Sequence, residues 1–390
     1  MSRLLFVVPP LVGHINPTVG VAAELTARGH RVAWACPDPE LVGRLAGPGA
    51  GTVFACAGTP QGERPADLRG PEALKFLWEW YLLPLALAMA PGVRAAVEAF
   101  RPDVVVADQQ AFAGALVAER LGLPWATSAT TSAEFTDPLS GLPKVSRWLT
   151  ERLAELRVAV GDPAGVDDPR FSPRLVLAFS TPELAGGSRD AVRWVGPSIT
   201  ARPSTAGFPW EWLDPGRVTV LVTLGTANTD VGGRFLDTCR SALRERADRV
   251  QGVIVDPGGT LEPGGDGDGE DVLVVPSVPQ LALLERGVGA VVCHAGHNSV
   301  CEALWHGVPL VVAPIRDDQP VVAGQVVDAG AGVRVRFGRV TAQKLGAALD
   351  SVLDDPAHRA AADRIRTAFR AAGGASAAAV HLEELAREFR

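Results

Sequence analysis

The chain lacks the sequence features of several protein classes. Its five cysteines are scattered and form no Cys-x-x-Cys pair, which favours reduced, mostly buried thiols over a disulfide framework. The net charge is -7, so the basic excess of a nucleic-acid-binding protein is missing. No apolar run approaches the ~20 residues of a transmembrane helix, and Pro9 and Pro10 interrupt the first apolar run, unlike a signal peptide. These absences predict a cytoplasmic protein with no nucleic-acid partner and no membrane span.

What the chain contains is typical of a globular protein with two domains. It has 390 residues, of which 47% are hydrophobic and 21% are charged. Short apolar runs alternate with helical segments through both halves, which predicts parallel sheets covered by helices on both faces. A stretch with several Pro and Gly residues follows residue 200. We therefore predict an α/β protein with domains over 1–200 and 217–372, a linker over 201–216 and a last helix over 373–390.

The most informative stretch covers residues 275–320. The run VGAVVC predicts a buried strand, HAGHNS a turn, VCEALWHG a helix and PLVVAP a second buried strand, which together form a βαβ unit. The turn places His294, Gly296, Asn298 and Ser299 at the start of the helix. Free backbone N–H groups and the helix dipole favour a phosphate group at such a position.

Polar residues also follow the second strand of this unit. Asp317, Asp318 and Gln319 stand at its carboxyl end, where open α/β sheets bind their ligands. The stretch therefore predicts a site with a phosphate end and a hydroxyl-binding end. A sugar nucleotide has both groups.

The first domain opens with a βαβ unit of its own. LLFVVPP predicts a strand, Asn16 is the expected N-cap, and Pro17 suits the first position of a helix that ends near Arg28. His14 then lies in a loop at the carboxyl end of the first strand, a usual place for a catalytic group. Asp108 ends a later strand, where the alternative is an N-cap for the next helix. The first loop lacks Gly-x-Gly-x-x-Gly, so a dehydrogenase is poorly supported.

The spacing of residues 275–320 resembles the motif of the inverting, nucleotide-sugar-dependent glycosyltransferases of family 1. These GT-B enzymes include bacterial natural-product (macrolide-type) and plant secondary-product glycosyltransferases. The matching residues are Pro279-Gln280, His294 to Ser299, Glu302, Gly307-Val308-Pro309 and Asp318-Gln319. One departure is Ser277, which stands where the plant pattern has a Trp that stacks on the base. The choice of nucleobase therefore stays open.

The resemblance implies a fold and a set of donor contacts. The fold is GT-B: two Rossmann-like, doubly wound parallel-sheet domains face a central cleft, and the C-terminal helix crosses back to the N-terminal domain. In the family, matching residues lie over the diphosphate, meet the base, bind the ribose and hold the sugar hydroxyls. Here these donor-binding positions are Thr226, Val278, Gln280, His294, Gly296, Asn298, Ser299, Glu302, Asp318 and Gln319.

The resemblance also implies the catalytic pair, His14 as general base and Asp108 as its partner. A His with a near-neutral pKa can take the proton of an attacking hydroxyl, and a carboxylate can orient the ring and stabilise the imidazolium. Donors at a helix N-terminus stabilise the departing nucleoside diphosphate. This chemistry requires no metal and no cofactor beyond the nucleotide sugar. The one Asp-x-Asp, Asp266 to Asp268, lies in a Gly-rich acidic run typical of a solvated loop.

Residues 72–100 have helical composition, with interruptions expected at Pro84 and Pro91. This segment and the loop over 130–145 supply the predicted acceptor-binding residues, for which packing in the core is the alternative. They are Phe76, Trp78, Trp80, Tyr81, Met89, Glu134 and Phe135.

Together these observations predict an inverting glycosyltransferase. It would move a hexose or deoxyhexose from a UDP- or dTDP-sugar to a lipophilic small-molecule acceptor, such as a polyketide-like natural product. Two alternatives are a nucleotide-sugar epimerase of the same fold and a non-catalytic sugar-nucleotide-binding partner protein. The sequence leaves open the acceptor, the sugar, O- against C- or N-transfer and the oligomeric state, a homodimer included.

Overall fold

A computed structural model describes residues 1–58, 65, 68, 70–136, 139, 141–187, 191–199, 207–225, 232–261 and 269–389. The chain forms two compact units. Unit 1 comprises Met1–Pro182, Gly186–Pro203 and Phe369–Arg390, and unit 2 comprises Glu183–Ala185 and Ser204–Ala368. All five cysteines are buried and unpaired, which confirms the prediction of core thiols.

The described part of unit 1 is built on a sheet of seven parallel strands in the order β3-β2-β1-β4-β5-β6-β7. The strand order reverses between β1 and β4, and ligands bind at the carboxyl ends of strands at such a point. Phe6 of β1 pairs with Trp34 of β2, and their rings stack at 5.0 Å. The strands are β1 Arg3–Val7, β2 Arg31–Cys36, β3 Thr52–Ala55, β4 Val104–Asp108, β5 Trp125–Ala129, β6 Val176–Ala178 and β7 Val192–Trp194.

Helices connect these strands. They are α1 Val12–Ala27, α2 Pro39–Ala46, α3 Gly70–Phe76, α4 Leu83–Phe100, α5 Phe112–Arg120, α6 Pro143–Val160 and α7 Pro182–Ala185. A π-helical segment, Leu77–Leu82, joins α3 to α4, and short 3-10 turns cover Gly47–Gly49 and Ala133–Thr136.

The described part of unit 2 has a six-stranded parallel sheet in the order β10-β9-β8-β11-β12-β13, preceded by a 3-10 turn at Trp210–Trp212. The strands are β8 Val218–Thr223, β9 Val250–Val255, β10 Val272–Val275, β11 Ala290–Cys293, β12 Leu310–Val312 and β13 Gly332–Arg334. The helices that follow β8 onward are α8 Gly233–Arg244, α9 Gln280–Glu285, α10 His297–Trp305, α11 Gln319–Asp328, α12 Ala342–Asp354, α13 Pro356–Ala371 and α14 Gly374–Glu388. The predicted pair of doubly wound parallel-sheet domains is confirmed.

Helix α14 belongs to unit 1 and packs against α1. Five buried side chains of α14 share a core with Val21 and Leu25 of α1; they are Ala378, Ala379, Leu382, Leu385 and Ala386. His30 Nε2 lies 3.0 Å from Glu383 Oε1 beside this core. The C-terminal helix therefore returns to the first domain, as the resemblance implied.

The first helix begins earlier than predicted. Leu11, not Asn16, is the N-cap of α1, and its carbonyl accepts the backbone N–H of Ile15 at 3.1 Å. Asn16 and Pro17 lie inside the helix, and the buried Asn16 Oδ1 has no hydrogen-bond partner among the described residues, so Asn16 does not cap the helix. Pro17 has no backbone N–H to donate to the carbonyl of Gly13, so α1 continues through it with one ladder hydrogen bond fewer. His14 is consequently held by the first turn of a helix rather than by a loop.

The predicted interruptions at Pro84 and Pro91 are also wrong. Helical backbone runs without a break from Gly70 to Phe100, with the π-helical segment in the middle. Pro84 is the second residue of α4, just after this segment, where the changed hydrogen-bond ladder adapts to a missing N–H, and Pro91 lies further inside α4. By length and composition alone, Glu72–Phe100 is apolar enough to cross a membrane, which a single core helix also satisfies. Its residues Leu85, Met89 and Val93 are fully buried in the core of unit 1.

Candidate functional site

Three polar side chains meet at the carboxyl edge of the unit 1 sheet. His14 lies in the first turn of α1, Asp108 ends β4, and Thr130 follows β5 directly. Because β1, β4 and β5 are neighbours in the sheet, residues far apart in the chain come together there. The side chain of Asp108 is fully buried, whereas that of His14 keeps 15% of its exposure. The imidazole is therefore the solvent-facing member of the group.

Hydrogen bonds fix the orientation of the imidazole. His14 Nδ1 lies 3.0 Å from both carboxylate oxygens of Asp108. The backbone N–H of Gln110 donates to Asp108 Oδ1 at 2.8 Å, and the Thr130 hydroxyl donates to Oδ2 at 2.9 Å. Since an ionised carboxylate only accepts, Nδ1 carries the ring proton and Nε2 is the basic nitrogen. The arrangement is able to accept a proton from a hydroxyl presented to Nε2.

Thr130 was missed by the sequence analysis. Its hydroxyl oxygen lies 2.8 Å from His14 Nδ1 as well as 2.9 Å from Asp108 Oδ2, so it contacts both members of the pair. The available signal was the polar run TSATTS at the end of a buried strand, which places hydroxyl groups at the same sheet edge as Asp108.

The aromatic segment 76–89 divides between core and surface. Trp78 is 4% exposed and stacks on Phe112 at 5.3 Å, and Met89 is fully buried, so both pack in the core of unit 1. Phe76 stacks on Trp80 at 5.9 Å, and Trp80 is 68% exposed. Trp78 and Met89 therefore have the surroundings of core residues, which was the alternative given for this segment.

Tyr81 differs from its neighbours. Its ring packs against the same core, but its hydroxyl is buried and has no hydrogen-bond partner in the described part of the chain. Burial raises the pKa of this phenol, and the negative charge of Asp108 adds to the effect. The hydroxyl is therefore a neutral hydrogen-bond donor.

The other two predicted acceptor residues have protein partners. Glu134 forms an ion pair with Arg170 at 3.1 Å. Phe135 is 6% exposed and lies between the rings of Phe171 and Trp194, at 6.1 and 5.0 Å. Both contacts join the segment after β5 to Arg170 and Phe171.

In unit 2 the predicted phosphate turn has the expected strand–turn–helix form. β11 ends at Cys293, Ala295 takes a left-handed conformation with φ 65°, and Gly296 is the N-cap of α10. Asn298 and Ser299 then lie in the first turn of α10. The backbone N–H groups at the start of a helix point outward along its axis and the helix dipole is positive there, so this end of α10 suits an anion.

His294 is packed tightly between two glycines. A Cβ atom at Gly225 would lie 2.8 Å from His294 Cε1, and one at Gly296 would lie 2.3 Å from Nε2. Burial lowers the pKa of His294 to about 4, the nearby backbone carbonyl of Thr223 opposes this, and the positive charge of Arg316 adds to the lowering. His294 is therefore a neutral imidazole at pH 7, positioned as a hydrogen-bonding group rather than as a charge.

The two predicted ribose-binding residues are in contact. Gln280, at the start of α9, donates from Nε2 to Glu302 Oε2 on α10 at 2.7 Å. Glu302 is 4% exposed, so the bond fixes a nearly buried carboxylate. Val278 lies two residues before α9 and is half-buried. This contact orients the carboxylate.

Gln319 organises the loop after β12. Its Oε1 accepts the backbone N–H groups of Ile315 and Arg316 at 2.9 and 3.1 Å. Asp317 has φ 58°, which turns the chain so that Asp318 becomes the N-cap of α11. Asp318 is half-buried, and Gln319 keeps its amide N–H groups as potential donors to a ligand.

Thr226 and the Asp266 to Asp268 run lie outside the described residues. Within the described ranges, no group of three or more His, Cys, Asp or Glu side chains is placed to hold a metal ion. The absence of a metal requirement stays a prediction.

Residues 260–369 match the family described as UDP-glucoronosyl and UDP-glucosyl transferase. The chain is 32% identical over 409 residues to demethyllactenocin mycarosyltransferase of Streptomyces fradiae, covering 99% of this chain and 87% of that protein. The solved structure of the glycotransferase of kitacinnamycin has a TM-score of 0.79 at 27% identity, covering 98% of this chain and 99% of its own.

A spinosyn rhamnosyltransferase solved in complex with thymidine diphosphate has the same fold, with a TM-score of 0.75 at 24% identity and coverage of 98% and 100%. Full-length similarity to the mycarosyltransferase, two doubly wound parallel-sheet units and the motif of residues 275–320 agree with one another. The chain therefore belongs to the family 1 glycosyltransferases of the GT-B fold.

Proposed function

We propose that this enzyme transfers a hexose or deoxyhexose from a UDP- or dTDP-sugar to a lipophilic small-molecule acceptor, with inversion at the anomeric carbon. The observation that carries the proposal is the hydrogen bonding of His14 Nδ1 to Asp108, which makes Nε2 the basic nitrogen. The mycarosyltransferase and the kitacinnamycin glycotransferase are named for natural products, which supports an acceptor of that class here.

The reaction is a single displacement. The acceptor oxygen forms a bond to the anomeric carbon as the bond from that carbon to the diphosphate oxygen breaks. The acceptor proton passes to His14 Nε2, and Asp108 stabilises the imidazolium that results. Thr130 keeps the carboxylate and the ring in register, so it is a positioning residue.

The donor would be held by unit 2. The first turn of α10 and the imidazole of His294 donate hydrogen bonds to the diphosphate, whose negative charge grows as it departs. Glu302, oriented by Gln280, accepts from the ribose hydroxyls, and Asp318 and Gln319 bind the sugar hydroxyls. Thr226 belongs to the predicted diphosphate loop.

Two further parts of the proposal concern the nucleobase and the need for a metal ion. The family description names UDP, whereas the spinosyn enzyme binds thymidine diphosphate. Ser277, where plant relatives stack a Trp on the nucleobase, supports a nucleobase contact made by the backbone near Val278.

No step of the proposed reaction uses a metal ion. We therefore expect a chelator to leave the transfer rate unchanged, and a chelator-sensitive rate restored by one divalent cation would contradict the metal-free scheme.

Calorimetry of UDP and dTDP binding tests the donor site. One nucleotide should bind wild type, and His294→Ala should weaken it by roughly 1.5–3 kcal/mol, the value of a hydrogen bond to a charged group. His297→Ala is the matched control, because its ring contacts Cys301 on its own helix at 3.4 Å. If neither nucleotide binds, or if both variants bind like wild type, the donor site is not at this turn.

The catalytic pair separates the proposal from its two alternatives. His14→Ala should abolish sugar transfer while nucleotide binding stays intact, because the base lies outside the donor site. A nucleotide-sugar epimerase would interconvert donor sugars without an acceptor and without His14. A non-catalytic binding protein would bind the nucleotide sugar and turn over neither substrate, even slowly with water.

A further inference from the structure

The side-chain amide of Gln109 is buried and has no hydrogen-bond partner among the described residues. The residue is 1% exposed and begins the turn that leads from Asp108, the last residue of β4, to α5. Neither Oε1 nor Nε2 has a hydrogen-bond partner in the described part of the chain. An amide buried in this way is costly, so an unpaired one in a native protein calls for an explanation.

A second buried glutamine, Gln251, provides a comparison, because its side-chain amide is fully hydrogen-bonded within the fold. Gln251 is also 1% exposed, and both ends of its side chain are bonded. Its Oε1 accepts the backbone N–H of Asp214 at 2.9 Å, and its Nε2 donates to the Asp214 carbonyl at 2.9 Å and to Thr219 Oγ1 at 3.0 Å. Gln109 is equally buried and makes none of these bonds, so its amide does not serve the fold.

Strand alternation places Gln109 on the aromatic side of the sheet. Val105 and Ala107 of β4 pack in the cluster that contains Trp78 and Phe112. The backbone N–H of Gln109 still bonds to the Ser128 carbonyl at 3.1 Å, so strand pairing continues to this residue. The side chain after Ala107 on that face is therefore Gln109, one residue beyond the partner of the proposed base.

The same face carries a second unpaired polar group. The Tyr81 hydroxyl is buried with no hydrogen-bond partner in the ranges that the structure describes, and its ring packs against this cluster. That cluster also contains Ala107, at the end of β4, and Ala111 and Phe112, which follow Gln109 in the chain. Tyr81 lies in the π-helical segment Leu77–Leu82, and such segments are frequent at functional sites.

We propose that the Gln109 amide and the Tyr81 hydroxyl form a polar subsite for the acceptor, which binds an oxygen other than the one that receives the sugar. The ligand class is a hydrophobic ring compound with a second oxygen function, a carbonyl or a hydroxyl. Gln109 supplies a donor and an acceptor, and Tyr81 supplies a neutral donor. This inference rests on the proposed function and adds to it a residue that selects among acceptors.

Stability measurements test the first half of the inference. Gln109→Leu, which replaces an unbonded amide by an apolar side chain of similar size, should leave Tm unchanged or raise it. Gln251→Leu, the matched control, should lower Tm by roughly 4–10 °C because it leaves the backbone of Asp214 unpaired. An equal loss in both variants would mean that the Gln109 amide is bonded within the fold, and the proposal would be wrong.

Two phenols test the second half. 4-Methylumbelliferone has a ring carbonyl besides its hydroxyl, whereas 2-naphthol has the hydroxyl alone. By calorimetry, wild type should bind the first more tightly, and Gln109→Leu and Tyr81→Phe should each weaken it about tenfold while 2-naphthol binding stays constant. Equal affinities in wild type, no binding of either phenol, or equal weakening of both would overturn the proposal.

Nucleotide binding distinguishes a failure of the acceptor-subsite inference from a failure of the proposed function. Both Gln109→Leu and Tyr81→Phe should bind UDP or dTDP like wild type, because they lie outside the donor site. If wild type binds a nucleotide and transfers sugar but its phenol selectivity does not depend on Gln109, the subsite fails and the proposed function stands. If no nucleotide binds, the proposed function fails first.

Discussion

The buried imidazole of His294 should make the protein sensitive to mild acid. Its pKa is lowered to about 4 from the ordinary value of 6.5 because burial disfavours the imidazolium. Between pH 6.5 and 4 the unfolded chain therefore takes up a proton at His294 and the folded chain does not. Stability falls as pH falls through this window, and the contribution is fully present above pH 6.5. The difference between the two pKa values corresponds to a loss of about 3 kcal/mol in the free energy of unfolding at pH 4 or below.

Scanning calorimetry between pH 4 and 8 on wild type and His294→Gln isolates this effect, because the other six histidines are common to both. The Tm of wild type should fall relative to that of the variant by roughly 6–12 °C, as expected for about 3 kcal/mol in a unit of this size. Parallel curves across the whole range would refute the reasoning, since they would mean that His294 titrates alike in both states.

Nucleotide binding provides a second measurement of the same group. A diphosphate beside the imidazole favours its charged form, so binding at pH 5 should take up protons, and binding at pH 8 should not. Calorimetry in two buffers of different ionisation enthalpy measures the number directly. A variant without the imidazole, His294→Gln, should show no uptake at pH 5, and uptake equal to that of wild type would assign the proton to another group.

Two further substitutions probe the positioning of the site. Thr130→Val removes the hydroxyl that donates to Asp108. We expect kcat to fall roughly 10–100-fold while KM for both substrates stays nearly constant, and Thr130→Ser should restore the rate. An unchanged kcat in Thr130→Val would make the hydroxyl dispensable. Gly225→Ala adds a Cβ 2.8 Å from His294 Cε1 at a residue with φ 69°, so it should destabilise the protein by about 1–2 kcal/mol and weaken nucleotide binding. The control Gly324→Ala, which adds a Cβ in open space on α11, should stabilise the protein slightly. Similar Tm values for the two variants would contradict the tight packing of His294.

Local patterns were sufficient to predict the phosphate turn. The run GAVVC is too short and too β-branched for a helix, and Gly296 before a helical segment marks its start. The structure accordingly ends β11 at Cys293 and begins α10 at His297. The resemblance implied the pairing of His14 with Asp108, and their places at the ends of strands made the contact possible, because parallel strands of one sheet end at the same edge.

What the sequence could not predict depends on tertiary contacts. Asn16 and Pro17 are good starting residues for a helix, but Val12 begins α1, which brings His14 into a helical turn. Trp78 and Trp80 are alike in composition, and only packing decides that the first is 4% and the second 68% exposed. Thr130 belongs to a run of polar residues, and its distance to Asp108 depends on the pairing of β4 with β5.

The packing of α14 on α1 has a consequence for synthesis in the cell. Leu382 and Leu385 complete a core that β1 and α1 begin, so unit 1 cannot close until α14 has emerged from the ribosome. Unit 2 lies between them in the chain and is fully translated before α14 appears. At 5–20 residues per second, the roughly 185 residues from the start of unit 2's main segment to the end of α14 take about 10–40 s. For that interval the face of α1 beneath α14 stays open, so the half of the enzyme that is made first is the last to be finished.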